Sequence, residues 1–192
     1  RLVDLRVVRF VARDVRLDRP VAIKFLPPDM AMREDLRARF LQETRTAASF
    51  SHPNIVPVHA IEERERILCF VMGYVDGETL SARVKRTGPL SAADATKILQ
   101  EAAWALSYAH GRGVVHRDVK PDNILIDRGS GRAMITDFGI ARSQDNTSGL
   151  TMVGEIIGTP QYMSPEQATG ETIDARSDLY SLGVVAFFAL TG

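Results

Sequence analysis

His116-Arg117-Asp118-Val119-Lys120-Pro121-Asp122-Asn123 sets an acid, a lysine and an amide within one short loop. Downstream, the apolar run Ala133-Met134-Ile135-Thr136 leads into Asp137-Phe138-Gly139, so a second carboxylate arrives at a strand end. Two carboxylates and an amide oxygen are hard ligands suited to Mg²⁺, and a lysine ammonium is a point charge suited to a phosphoryl oxygen. Together these groups fit phosphoryl transfer. A lone Asp-Phe-Gly carries little weight, because a strand end followed by a turn often produces it. Order decides the matter: Val21-Ala22-Ile23-Lys24 precedes these motifs, Ser164-Pro165-Glu166 follows them, and Ser177-Asp178-Leu179-Tyr180-Ser181-Leu182-Gly183 comes after that.

The loop resembles the H-R-D-x-x-x-x-N catalytic loop of protein kinases, and Asp137-Phe138-Gly139 resembles their D-F-G turn. The lysine two residues after Asp118 is similar to the serine/threonine branch, and Ala12 to Lys24 looks like the second and third strands of eukaryotic-like bacterial kinases. The resemblance implies an α+β, two-lobed fold. Residues 1–75 are expected to form a small antiparallel β-sheet lobe with one helix, its first strand and glycine loop incomplete. Residues 76–192 are expected to form a mainly helical lobe cut short after its central helix. At 192 residues the chain is read as a fragment of that fold.

The same resemblance assigns roles. Lys24 contacts the α- and β-phosphates of ATP, Glu43 is its partner, and Ala22 lines the adenine slot. Met72-Gly73-Tyr74-Val75 resembles the hinge, with Met72 as gatekeeper, the Tyr74 and Val75 backbone facing adenine, and Gly73, where the family has Glu, loosening it. Asp118 orients the substrate hydroxyl and accepts its proton, Lys120 steadies the γ-phosphoryl group, and Asn123 with Asp137 holds Mg²⁺. Asp178 anchors the catalytic-loop backbone. Thr159 lies at the substrate-docking end of the activation segment and bonds Asp118 and Lys120. Thr147, Ser148 and Thr151 are candidate phosphorylation sites, Thr151 first, with Arg117 as the cation that receives the phosphate. Glu166 is expected to lack the later-helix arginine that it pairs with in the family.

Implied cofactors are ATP and Mg²⁺, and implied partners are protein substrates bearing Ser or Thr, with a kinase–kinase dimer for autophosphorylation. Lys and Arg balance Asp and Glu at 24 each and the signs are interspersed, as in Glu62-Glu63-Arg64-Glu65-Arg66, so no basic face offers itself to nucleic acid. The apolar run Leu182–Leu190 is too short to cross a bilayer, so no membrane segment is expected in this piece. A cytoplasmic location follows from the resemblance, often as the cytosolic part of a membrane-anchored kinase. The single Cys69 excludes an internal disulfide and reads as a small buried hydrophobe.

Local pattern fills in the elements. Alternation over Val3–Val15, the turn Leu17-Asp18-Arg19-Pro20 and the strand Val21–Leu26 give an antiparallel pair. Met30–Phe50 has helical spacing. Val56–Ile61 and Arg66–Met72 read as strands joined by the charged turn Glu62–Glu65. Ser91 caps a helix whose stripe Ala95, Ile98, Leu99, Ala102, Ala103, Leu106 and Ala109 runs to Gly111, with Trp104 packed beside it. Val114-Val115, Ile124–Ile126 and Met134–Thr136 are expected as short strands. His52 reads as a turn residue, and His116 and Phe138 read as packing residues stacked with Ala47 and Val58, a histidine base being the alternative for His116.

The chain departs from the family at its start. Glycines are expected around positions 2 to 7, yet the first glycine is Gly73. Either the loop has degenerated or the chain start replaced it. A pseudokinase or regulatory scaffold with weak nucleotide binding is therefore the alternative to an active enzyme.

Overall fold

The computed structural model describes residues 9–25, 34–64, 67–138 and 160–192. Strand β1 (Arg9–Asp14) and strand β2 (Arg19–Phe25) form the expected antiparallel pair, Val11 facing Ala22 across the ladder. The turn between them is local chemistry: the Asp14 carboxylate accepts the N–H groups of Arg16 and Leu17, and Asp18 takes a left-handed φ of 49°.

Helix α1 (Glu34–Ala48) is followed by strand β3 (Val58–Arg64) and strand β4 (Ile67–Gly73), and the sheet order is β1-β2-β4-β3. Charge placed the turn too early, because Glu62, Glu63 and Arg64 all lie inside β3. β3 is an edge strand, and an edge tolerates charged side chains that discourage further pairing. Gly73 is not loosened as expected: it pairs with Val21 in the ladder, and its N–H donates to the Pro57 carbonyl at 2.9 Å. A Cβ at Gly73 would sit 3.1 Å from two carbons of the Pro57 ring. Cys69 is buried, and burial pushes its thiol pKa up.

The second layer is helical with a small sheet. Strand β5 (Gly77–Thr79), helix α2 (Leu80–Thr87) and helix α3 (Ala92–His110) come first. Strands β6 (Ile124–Asp127) and β7 (Ala133–Ile135) then pair in the order β5-β6-β7. Helix α4 (Pro165–Thr169) and helix α5 (Ala175–Thr191) follow. Ser91 caps α3 as read, its hydroxyl accepting the Asp94 N–H at 3.1 Å. Val114-Val115 is not a strand. The Val114 N–H donates to the Ala109 carbonyl at the end of α3, which removes it from any ladder.

Small residues let the helices approach. Ala102, Ala105, Leu106 and Ala109 share one buried cluster with Leu182, Val185 and Ala189 of α5. Trp104 instead stands 53% exposed, on the turn of α3 that faces away from that cluster. The stretch Asn54–Val56 joins the layers: Val56 N–H donates to the Ile135 carbonyl, Ile135 N–H to the Asn54 carbonyl, and the Asn54 amide to the Ala133 carbonyl. On its outer side α5 leaves Leu179, Tyr180, Phe187 and Leu190 exposed among the described residues, the apolar surface its sequence implied.

Leu106 is fully buried at the α3–α5 contact. Leu106→Ala should lower the unfolding free energy by about 2–5 kcal/mol in a urea titration. In the 192-residue chain, Phe187→Ser with Leu190→Ser should reduce light scattering at a given protein concentration, with little change in stability.

Candidate active site

The site is built from the backbone of residues 116–118 outward. Asp178, in the first turn of α5 and 1% exposed, accepts the His116 N–H through one oxygen and the Arg117 N–H through the other, both at 2.8 Å. His110 at the end of α3 meets the same carboxylate at 2.7 Å. A buried carboxylate is tolerated where hydrogen-bond donors and a helix N-terminus surround it, and both conditions hold here. The grip fixes Arg117 in a left-handed conformation, φ 64°. From the other side the Gln167 amide donates to the Arg117 carbonyl at 2.8 Å, while its oxygen accepts the N–H of Ser164, the N-cap of α4.

His116 is a structural residue. It is fully buried, its Nε2 lies 3.0 Å from the Thr136 carbonyl, and its Nδ1 accepts the Asp118 N–H. A carbonyl only accepts, so Nε2 carries the proton and neither ring nitrogen is left for chemistry. The Phe138 ring sits 4.6 Å from His116 and 5.3 Å from Phe50, just beyond α1. Phe50 in turn stacks edge-on with Tyr108, whose hydroxyl accepts the Ser51 N–H. Ala47 is buried, but Val58 packs in the separate cluster of Val56, Leu68, Phe70 and Met72. Phe50 therefore joins His116 and Phe138 in the column.

With the backbone held, the side chains converge. Asp118 Oδ2 lies 2.7 Å from the Lys120 ammonium and accepts from the Asn123 amide at 3.0 Å; the same amide nitrogen also reaches the Asp118 carbonyl at 2.8 Å. Nδ2 of Asn123 thus faces Asp118, and its Oδ1 is the end that remains for a cation. Opposite, Asp137 adopts φ 68° and pairs with Lys24 at 2.9 Å, the two side chains 9% and 8% exposed. Lys24 also lies 5.6 Å from the Phe70 ring centroid. The Glu43 side chain, the partner expected for Lys24, lies outside the described residues, as do Thr147, Ser148, Thr151 and Thr159.

Above this group Ala22, Val75, Leu125 and Met134 pack against the cluster containing Met72. Met72 is 4% exposed, and its sulfur receives the Thr136 hydroxyl at 3.7 Å. The result is an apolar cluster that contains both the expected gatekeeper Met72 and Ala22. Tyr74, directly after β4, is 39% exposed. Sequence reasoning missed Leu125, Phe50, His110 and Gln167. The first lies in the uninterrupted apolar run Ile124-Leu125-Ile126, which signals a strand buried on both faces, whereas the others depend on tertiary contacts.

The protein kinase domain model matches residues 7–192. The chain belongs to the protein kinase domain family. The serine/threonine-protein kinase PknB of Mycolicibacterium smegmatis is 46% identical over 187 residues, covering 95% of this chain and 30% of that relative. PrkC of Bacillus subtilis is 42% identical over 183 residues, 95% of this chain and 28% of that one. Among solved structures, the kinase domain of Mycobacterium tuberculosis PknI superimposes with a TM-score of 0.78 at 32% identity, covering 97% of this chain and 68% of that domain. The chain thus spans under a third of the curated relatives and about two thirds of a solved kinase domain.

Glu166 is not stranded in this kinase domain. It accepts the Ser177 hydroxyl, and that bond holds its carboxyl below the ordinary range. Asp178→Ala should lower the unfolding free energy by roughly 3 kcal/mol or more, because it strands the His116 and Arg117 N–H groups together with His110. Hydrogen exchange should show faster exchange of the His116 and Arg117 amides than of amides in β4.

Proposed function

We propose that the chain is the catalytic part of a serine/threonine protein kinase, transferring the γ-phosphoryl group of ATP to Ser or Thr hydroxyls of proteins. The observation that carries this reading is the convergence of Asp118, Lys120 and Asn123 at bonding distances, with the Lys24–Asp137 pair opposite. In this reading residues 1–75 are the smaller lobe and residues 76–192 belong to the larger one. The domain's relatives carry serine/threonine-protein kinase names, which supports the choice of hydroxyl acceptor.

Phosphoryl transfer through a loose transition state needs positioning and neutralisation more than covalent help. Asp118 orients the acceptor hydroxyl and takes its proton as the oxygen–phosphorus bond forms, and the leaving oxygen departs on ADP. Lys120, already the counter-ion of Asp118, lies where it can also neutralise a transferring phosphoryl group. The Asn123 amide oxygen and the Asp137 carboxylate are two hard oxygen donors of the kind Mg²⁺ uses when phosphates and waters complete its shell. When bound, Mg²⁺ supplies charge neutralisation on the phosphate oxygens.

Lys24 and Asp137 are each other's counter-ion, and both are nine-tenths buried. A charge so placed needs a partner. Nucleotide phosphates for Lys24, with Glu43 beside them, and a divalent cation for Asp137 provide equivalent partners, so loading exchanges one set of ion pairs for another. Met72 and Ala22 line the base slot in this reading, and the backbone at Tyr74 and Val75 offers its polar groups to adenine. Thr159 docks the acceptor residue. Thr151, with Thr147 and Ser148 as neighbours, receives the regulatory phosphate, read by Arg117 next to Asp118 and added by a second copy of the kinase.

Among the described residues no helix is long and apolar enough to cross a membrane. A kinase part on the cytosolic side of a membrane-anchored protein is our proposal for its setting. The glycine-free start favours weak nucleotide affinity as a second reading, since phosphates are approached closely only by backbone without Cβ.

In the full-length protein, Asp118→Asn should lower phosphotransfer by about a hundredfold or more while the melting temperature stays within a few degrees, and Lys24→Met should lower phosphotransfer as much but also lower the melting temperature, because it removes the buried counter-ion of Asp137. Rates within a factor of a few of wild type would remove both residues from the reaction. Mass spectrometry of the active protein should find phosphate on Thr151, or on Thr147 or Ser148, and none on Thr159.

A further inference from the structure

A polar cavity opens between β5, α2 and β6, away from the Asp118 and Asp137 side chains. It measures about 310 Å³ and is lined by Gly77, Glu78, Arg83, Arg86, Ile126 and Arg128. Its floor is backbone: Gly77 faces Asp127 and Glu78 faces Ile126 in the β5–β6 ladder. A Cβ at Gly77 would fall 1.9 Å from the Ile126 carbonyl oxygen, so only glycine fits at that rim. Within the lining, three guanidinium groups stand against one carboxylate, a surplus of two positive charges.

The carboxylate is already committed. Glu78 Oε1 accepts from Arg83 Nε and from Arg86 Nη2, both at 2.6 Å, and Oε2 accepts from Arg86 Nε at 3.2 Å. These guanidinium partners hold the Glu78 carboxyl at about 2, so it stays ionised throughout the physiological range. An arriving cation would have to displace two arginines to reach it. The arginines retain capacity, because each guanidinium has more N–H donors than these bonds use. Arg128 is anchored by its backbone, donating to the Asp76 carbonyl at 2.7 Å, while its side chain is 75% exposed and 3.9 Å from the Asp76 carboxylate. The nearby Asp127 carboxylate accepts the Ser130 N–H and hydroxyl through one oxygen and stays charged.

We propose that this cavity is an oxyanion site that takes the phosphoryl group of a phosphoserine or phosphothreonine in a polypeptide. A phosphomonoester carries about −1.5 to −2 charges near neutral pH and can draw on all three guanidinium groups, whereas a carboxylate brings a single charge. Guanidinium forks pair with phosphate oxygens bidentately, which ties recognition to geometry as well as to charge. The cavity is open at its rim, so the chain bearing the phosphate continues into solvent on either side. β6 begins at the residue after Asn123, and both β5 and α2 pack against the turn Pro121–Asn123. A phosphopeptide held here is therefore seated on the elements that support the catalytic loop.

The test is an NMR titration of the full-length protein, following the arginine Nε–Hε signals. The probes are a short Gly-rich peptide with one phosphothreonine, its unphosphorylated twin, an Arg-rich twin, and inorganic phosphate. The phosphopeptide should shift the Arg83, Arg86 and Arg128 signals saturably and bind at least about fivefold more tightly than inorganic phosphate, and the plain twin should not bind. Arg86→Ala with Arg128→Ala should weaken the phosphopeptide about tenfold or more, and Glu78→Gln should tighten it, since a like charge is removed. Arg128→Ala alone keeps the test valid if the double variant fails to fold, because Arg128 is largely exposed. Equal binding of both threonine peptides would overturn the proposal. So would inorganic phosphate binding as tightly as the phosphopeptide. Arg-rich binding that is lost in Glu78→Gln would overturn it as well, and would make Glu78 a cation acceptor.

Discussion

One buried carboxylate holds the loop that carries Asp118 in shape. Asp178 receives two successive backbone N–H groups, from His116 and Arg117, and its position in the first turn of α5 makes its charge tolerable. Two donors aimed at one carboxylate demand an unusual backbone, which appears as the left-handed φ of Arg117. Asp118 comes next in the chain, so its direction is set by a residue sixty positions away. The apolar length of α5 then has a purpose. Leu182, Val185 and Ala189 bury the helix against α3 and so keep the Asp178 end in place.

From that anchor, contacts spread to the other layer. His116 meets Phe138, Phe138 meets Phe50, and Phe50 follows directly on α1. A second link runs through Asn54–Val56 and β7, so the strand that delivers Asp137 is bonded to the chain leaving α1. These are packed, discrete contacts. A shift of α1 must disturb Phe138 or Asp137, and coupling between the layers therefore has a physical route through named side chains.

Much of this was legible in the sequence because chemistry restricts it. Asp118, Lys120, Asn123, Asp137 and Lys24 are polar groups in a fixed order, and the structure gathers them within bonding distance in the pairs Asp118–Lys120, Asp118–Asn123 and Lys24–Asp137. What escaped was set by tertiary context. Gly77-Glu78-Thr79 has no intrinsic strand signal and becomes β5 only because β6 lies alongside. Val114-Val115 has a strand signal that the end of α3 overrides by taking the Val114 N–H. Trp104 is large and apolar, yet its angular position on α3 faces water. Glu166 accepts from Ser177, a small hydroxyl that no pattern in the sequence singles out as a partner.

The account rests on Asp118 addressing an aliphatic hydroxyl under Mg²⁺-dependent phosphoryl transfer. Phosphoamino-acid analysis of the full-length protein, incubated with γ-labelled ATP and a mixed protein substrate, measures that most directly. Label should appear on phosphoserine and phosphothreonine, with none on phosphotyrosine, and should vanish when the divalent cation is chelated. A folded, nucleotide-binding protein that incorporates no label, or that labels tyrosine, would contradict it.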